Sequence, residues 1–364
     1  MAPTSRLAAA RLLRRLAITP IPRPSGAAPT PRIGRRAARR PFALLALALA
    51  GCAGPPHLDA PPETTVELRD VPFFPQTEYQ CGPAALATIL SHEGVPVTAD
   101  DLARAVYVEG LRGSLQAELL AATRRHGLVP YTIEPEPAAL FAALEFGKPV
   151  LVLQNLGFDR FPVWHYAVVV GYDAKRETVL LRSGTERRRA ERLKRFLKSW
   201  QRAGHWGFVA AAPDDPPASA DAQRWIRALA DAERLLPRPA VSSAYTAAKA
   251  RWPREPLVLY ASAVHDGAAG RWQESARGYL ALLEIDPLHA AARNNLANML
   301  AEGGCVGLAL REARAALRAV GPQSPIRGAV EDTAASIERL AAASAAEPSH
   351  CAAFAAPSPP VEPG

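Results

Sequence analysis

Two stretches decide the fold of this chain of 364 residues: Gln76-Thr-Glu-Tyr-Gln-Cys81-Gly-Pro83 and His165-Tyr-Ala-Val-Val-Val-Gly-Tyr-Asp173. The first predicts a helix that begins at Cys81, because Gly-Pro suits a first helical turn. The second predicts an apolar strand with a histidine at its head. A cysteine that opens a helix lies beside unpaired backbone N–H groups and the positive end of the helix dipole, which stabilise a thiolate. The two stretches therefore predict a reactive thiol with a histidine as its base.

Two further side chains are expected near this pair. Gln76, on the loop before the helix, can donate its amide to an oxyanion, an interaction that contributes about 3–4 kcal/mol to transition states. Two residues are candidates for orienting His165: Ser183, which ends the next strand, and Asp173. Ser183 can accept a hydrogen bond from the imidazole but cannot balance an imidazolium, whereas Asp173 is roughly 25 Å from His165 along a straight strand. We therefore expect a weak or dyad-like site.

Together, the residues Gln76, Cys81-Gly-Pro83 and the strand from His165 resemble the C39-like cysteine peptidases, over roughly residues 68–212. The resemblance implies a papain-like α+β fold and a peptide or protein substrate. It also implies Cys81 as nucleophile, His165 as general base and Gln76 as oxyanion-hole residue. In that family an Asp or Asn usually orients the histidine, and Ser183 departs from this pattern.

The N-terminus predicts export. Residues 42–50 are an uninterrupted apolar run after Arg39-Arg40. The run is too short to span a membrane, which needs roughly 20 residues, but suits a signal peptide. The junction before Cys52 resembles the bacterial lipobox, in which that cysteine is acylated. We expect a signal peptide over 1–51 and a tether over 52–67, and hence a periplasm-facing lipoprotein. The alternative is that Cys52 is an ordinary thiol. Ala53 favours the outer membrane, because an Asp at this position favours inner-membrane retention in enterobacterial lipoproteins.

The charge of the chain belongs mostly to this leader. All ten arginines before Gly51 lie in a segment without Asp, Glu or Lys, although the whole chain has a net charge of +8. The remaining residues carry 33 Lys and Arg against 35 Asp and Glu. Without the leader, the charge no longer favours a nucleic-acid partner.

A second domain is expected after a Pro-rich linker at 213–221. Residues recur there at intervals of 34, as in Gly270 and Gly304, or Tyr245 and Tyr279. This period resembles tetratricopeptide repeats. It predicts an all-α domain over 222–343, with repeats at 222–255, 256–289 and 290–323 and a capping helix near 329–342. An unrelated Ala-rich bundle is the alternative. A disordered tail is expected over 344–364.

The four cysteines divide between these regions. With Cys52 acylated and Cys81 reactive, Cys305 and Cys351 remain, and an exported protein permits disulfides. We therefore predict a Cys305–Cys351 disulfide that holds the C-terminus on the repeats. The sequence has no metal-ligand motif and no phosphate-binding Gly-rich loop, so we expect no metal and no cofactor.

These features lead to three functional hypotheses. The first is a lipid-anchored cysteine peptidase whose repeats recruit a protein partner or substrate. The second is a catalytically weak or inactive peptide-binding scaffold lipoprotein. The third uses the same thiol for amide hydrolysis or transfer on a non-peptide substrate such as cell-wall peptide.

Overall fold

The computed structural model describes residues 64–75, 80–344 and 347–355. The predicted signal peptide, most of the predicted tether, Cys52 and Gln76 lie outside these residues, as does the end of the tail. Within the described part, no helix combines the length and apolar character needed to cross a membrane.

The first part of the chain mixes helices and strands, and the second is helical. The helices are α1 (Cys81–His92), α2 (Ala99–Val106), α3 (Gln116–Arg125), α4 (Pro137–Glu145), α5 (Leu193–Gln201), α6 (Ala222–Ala232), α7 (Arg238–Arg251), α8 (Pro256–Ala268), α9 (Trp272–Ile285), α10 (Ala290–Glu302), α11 (Val306–Ala319) and α12 (Arg327–Ala342). The strands are β1 (Val66–Glu67), β2 (Tyr107–Val108), β3 (Gly113–Ser114), β4 (Val129–Thr132), β5 (Val150–Asn155), β6 (Trp164–Asp173), β7 (Thr178–Ser183), β8 (Glu186–Arg192) and β9 (Gly207–Ala211). This is the expected order of an α+β region followed by a helical region.

An antiparallel seven-stranded sheet forms the centre of the α+β region, in the order β4-β9-β5-β6-β7-β8, with β1 paired to β6. β1 lies against Gly171 and Tyr172, at the end of β6 far from His165. An added Cβ at Gly171 would lie 2.4 Å from the carbonyl oxygen of Val66, so β1 can pair closely only beside a glycine. The chain therefore enters the sheet at the end opposite His165.

Alternating side chains of the strands build two apolar layers, as strand geometry requires. One face, which includes Tyr166 and Val168, packs with α1, α2 and α3. The other face, which includes Ala167 and Val169, packs with α4, α5 and the first helices of the helical region. A register shift in β6 between Val169 and Gly171 turns Tyr172 to the second layer. The helix that carries Cys81 is thus fixed against one face of β6.

The segment Glu186–Arg195 carries charges of both signs, a pattern typical of a solvated loop and helix face. The structure instead places Glu186–Arg192 in β8, paired with β7, and begins α5 at Leu193. Strand pairing uses only backbone groups, so most charged side chains of this edge strand stay in water, while the buried Glu191 pairs with Arg195. Such charges also protect a sheet edge against pairing with other chains.

Successive helix pairs of the helical region repeat at the expected interval. The first helices of the pairs begin at 222, 256 and 290, and the second helices begin at 238, 272 and 306. Each start is therefore 34 residues after its counterpart. The final helix, α12, covers the segment expected to cap the array.

The predicted linker does not separate two cores. Trp225 of α6 is fully buried in the same apolar cluster as Val129 and Tyr131 of β4. The backbone N–H of Asp221 donates to the Tyr131 hydroxyl at 2.9 Å, and Arg224 pairs with Glu134. The first helices of the array are therefore docked on the second face of the sheet.

Cys305 and Cys351 form a disulfide with Cα atoms 5.4 Å apart. Residues 349–354 form a short 3₁₀-helix whose Cys351 and Phe354 are buried in the core of the helical region. The Glu347 carboxylate accepts hydrogen bonds from the backbone N–H groups of Gly307 and Leu308, in the first turn of α11. The start of the predicted disordered tail is thus ordered against the array.

Candidate active site

Cys81 is the first residue of α1, where the predicted helix begins. Its neighbour Gly82 lies so close to β3 that an added Cβ would be 2.5 Å from the Ser114 hydroxyl. The Tyr166 hydroxyl donates to the Ser114 carbonyl at 3.1 Å, which links β3 to β6. These contacts fix the N-terminus of α1 beside the strand that carries His165. Leu115 is the N-cap residue of α3, and no side chain caps that helix.

The thiol of Cys81 is subject to two opposed effects. Burial raises its pKa, because the surrounding protein solvates a thiolate poorly. Backbone N–H groups of Tyr166, Gly82 and Cys81 itself form hydrogen bonds to the sulfur and lower the pKa. Burial is the larger effect, so the resting thiol is protonated. The Tyr166 contact places the sulfur next to the residue that follows His165.

His165 lies at the start of β6 and is half-buried. Its Nε2 forms a hydrogen bond of 2.8 Å with the Ser183 hydroxyl, at the end of β7. When Nε2 carries the proton and donates to Ser183, Nδ1 is left with its lone pair and can act as a base. A hydroxyl can also donate, however, so Ser183 does not impose this tautomer as a carboxylate would.

The imidazole is held in its neutral form. Burial lowers the pKa of His165 to about 4, and the positive charge of Arg189 adds to the effect. With the thiol pKa raised and the imidazole pKa lowered, the resting pair is uncharged. This charge state fits general-base catalysis, in which a thiol loses its proton as it attacks, better than a preformed thiolate–imidazolium pair.

The two candidates for orienting His165 are in different places. Ser183 contacts the ring, whereas Asp173 lies at the opposite end of β6, roughly 25 Å away. Arg176 donates to the Asp173 carboxylate at 2.8 Å and lowers its pKa. Asp173, the last residue of β6, therefore binds the turn between β6 and β7 and does not contact His165.

A buried arginine that was not predicted from the sequence lies next to Ser183 and supports the candidate site. Arg182, only 4% exposed, immediately precedes Ser183 on β7. Its guanidinium donates to backbone carbonyls of residues 68, 69, 71 and 187. Residues 68–71 begin the segment that leads to Cys81, so Arg182 holds that segment to the strand that carries Ser183. The only sequence signal is a charged residue within the apolar run Thr178-Val-Leu-Leu-Arg182.

One group among the described residues combines three potential metal ligands: Cys305, His350 and Cys351. Both sulfurs are in the disulfide, however, and metals bind the thiolate form of cysteine. His350 also contacts the carbonyl of Gly303 through Nε2 at 2.9 Å. With both sulfurs in the disulfide, this group stabilises the structure of the helical region.

Comparison with known proteins covers only the first region. No curated protein matches the chain. A solved structure described as a putative C39-like peptidase from Bacillus anthracis shares 18% identity, with a TM-score of 0.35, over 41% of this chain and 98% of that chain. Residues 68–207 match the model of the Peptidase_C39 like family. We call these residues the C39-like domain after this similarity, and the helices that follow lie outside the match.

Proposed function

We propose that this protein is a lipid-anchored cysteine peptidase in which Cys81 attacks the peptide bond and His165 is the general base. The observation that carries the proposal is the hydrogen bond between the Tyr166 backbone N–H and the Cys81 sulfur. This contact holds the sulfur, at the N-terminus of α1, against the residue that follows His165, and Nε2 of that histidine is bound to Ser183. The match of residues 68–207 to the C39-like family supports the same roles.

The reaction begins from the uncharged pair. His165 takes the thiol proton as the sulfur attacks the carbonyl carbon, which forms a C–S bond and a tetrahedral oxyanion. Backbone N–H groups at the start of α1, and the Gln76 amide predicted beside them, stabilise this oxyanion. His165 then gives its proton to the leaving amine as the C–N bond breaks. Water, activated by the same imidazole, hydrolyses the thioester and restores the thiol.

The other regions support recruitment and anchoring. The helix pairs repeat every 34 residues, the period of tetratricopeptide repeats, and such arrays bind proteins through extended surfaces. We propose that they recruit a protein partner or substrate. Acylation at Cys52 would hold the protein to the membrane of a bacterial envelope, facing the periplasm.

A second candidate is a catalytically weak or inactive peptide-binding scaffold. Two observations favour it: the orienting position holds Ser183 instead of a carboxylate, and the pKa of His165 falls to about 4. Both reduce the stability of the imidazolium that forms during attack. In this case the repeats would carry the function.

Labelling by iodoacetamide at pH 7 separates the two candidates. The modified residue is identified by mass spectrometry, and the chain is compared with Cys81→Ser and His165→Ala. A peptidase predicts that His165→Ala slows the alkylation of Cys81 at least about tenfold, and that both variants lose peptide hydrolysis. Alkylation of Cys81 that is unchanged by His165→Ala, in a chain that hydrolyses no peptide, would leave only the scaffold.

A further inference from the structure

Exposed apolar side chains of the C39-like domain are concentrated at one place. Eight large apolar residues are exposed among the described residues up to 212, and seven of them lie in or directly beside two loops; Phe146 is the exception. The seven are Leu111, Leu115, Leu156, Phe158, Phe161, Val163 and Trp164. A cluster of exposed apolar residues of this kind marks an interaction site more often than a random surface does.

Both loops border the candidate active site. Leu115 follows Ser114, which contacts Gly82 and Tyr166. Trp164 immediately precedes His165, and the loop between β5 and β6 ends there. We call Leu111, Leu115 and residues 156–164 the apolar rim. Its two sides lie next to the thiol and next to the imidazole.

The longer side of the rim is an ordered hairpin. The backbones of Phe158 and Phe161 exchange two hydrogen bonds of 3.1 Å. The buried Asn155 accepts from the backbone N–H groups of Gly157 and Val163 at 3.0 Å. Phe158 and Phe161 are nevertheless 76% and 73% exposed. The backbone is therefore held in one conformation while its aromatic side chains face solvent, which lowers the entropic cost of binding.

We propose that the apolar rim binds bulky apolar side chains of a polypeptide substrate on either side of the bond that Cys81 attacks. This inference rests on the proposed function, because it names the substrate class of that site. A membrane is the other kind of apolar partner that could cover the rim. The rim lies at the His165 end of β6, however, whereas the chain from Cys52 enters the sheet at the opposite end. A membrane on the rim would also cover the thiol.

The test uses a random decapeptide library passed over the immobilised Cys81→Ala chain, which binds without cleaving. We expect the retained peptides to be enriched in Leu, Ile, Phe, Tyr and Trp. The double variant Phe158→Ser/Phe161→Ser should bind the selected peptides at least about tenfold more weakly. Phe146→Ser, which removes an equally large exposed side chain elsewhere, should bind them as the parent does.

Three results would overturn the inference: no apolar enrichment, equal losses in the double variant and in Phe146→Ser, or binding to anionic vesicles that depends on Phe158 and Phe161 without peptide selection. Anionic vesicles give the most stringent test of membrane binding, because basic residues near the rim attract anionic lipids. Arg192, Lys194 and Lys198 line a pocket of about 370 Å³ at Leu156. If the library result holds but wild type does not hydrolyse the selected peptides, the proposed function fails and the rim remains a peptide-binding surface.

Discussion

The α+β region and the helical region bury polar groups with different consequences. In the α+β region, the buried Arg182 joins β7 to residues 68–71, more than 100 residues earlier in the chain, and the buried Ser183 joins β7 to His165. In the helical region, the buried Asn295 donates to the hydroxyls of Tyr279 and Tyr260, one and two helices back along the array. The first region thus uses buried polarity to assemble a site, and the second to set the spacing of neighbouring helices.

The largest expected effect comes from Arg182→Met. The variant leaves several buried carbonyls without a donor, and breaking buried hydrogen bonds to a charged group costs about 3–5 kcal/mol. Urea unfolding should show this loss, together with slower alkylation of Cys81, because residues 68–71 lose their attachment. Arg188→Met is the control: its bond to Glu67 is at the surface, and its cost should stay below about 1 kcal/mol. A cost of Arg182→Met that also stays below about 1 kcal/mol would show that the buried network is dispensable.

The next effect tests the helical region alone. Cys351→Ser removes the disulfide and should lower the free energy of unfolding by about 2–4 kcal/mol. Thermal unfolding of the variant measures the loss, and Cys81 alkylation in the folded chain should be unchanged. A change in Cys81 reactivity would mean that the two regions are coupled more tightly than their contacts suggest.

A third effect concerns pH. The pKa of His165 is about 4 in the folded chain, below the ordinary 6.5, so the unfolded chain binds more protons between these values. His165 therefore contributes stability that is complete above pH 6.5 and is lost as pH falls towards 4, up to about 3 kcal/mol. The difference in unfolding free energy between wild type and His165→Gln, measured from pH 7 to pH 4, isolates this contribution. A difference that does not vary with pH would contradict the lowered pKa.

The smallest expected effect is a gain. Ser183→Asp places a carboxylate at Nε2 of His165, which favours the imidazolium and the tautomer with Nδ1 as base. Alkylation of Cys81 at pH 7 should rise about tenfold, equivalent to about 1.4 kcal/mol. Ser183→Ala should instead slow it. Equal rates in all three chains would mean that Ser183 does not orient the histidine.

Much of the fold was predictable because its signals are local. The start of α1 at Cys81, the strands from His165 and Thr178, and the helix starts every 34 residues all depend on short motifs or on a period. The strand at Glu186–Arg192 was not predicted, because its charged side chains give no indication that its backbone pairs with β7. Docking of Trp225 on β4 was missed for a related reason: a Pro-rich linker predicts a boundary but gives no information about the surfaces on either side.

The sequence by itself determined which residues are available for chemistry: one cysteine at a helix start, one histidine at a strand start, and a serine where a carboxylate is usual. Only the tertiary structure decided between Ser183 and Asp173, because strand register sets which side chain reaches the imidazole. It also decided the charge state of the pair and the position of the apolar rim. Burial and proximity across the sheet depend on how distant segments pack together. They therefore cannot be inferred from any single segment of the sequence.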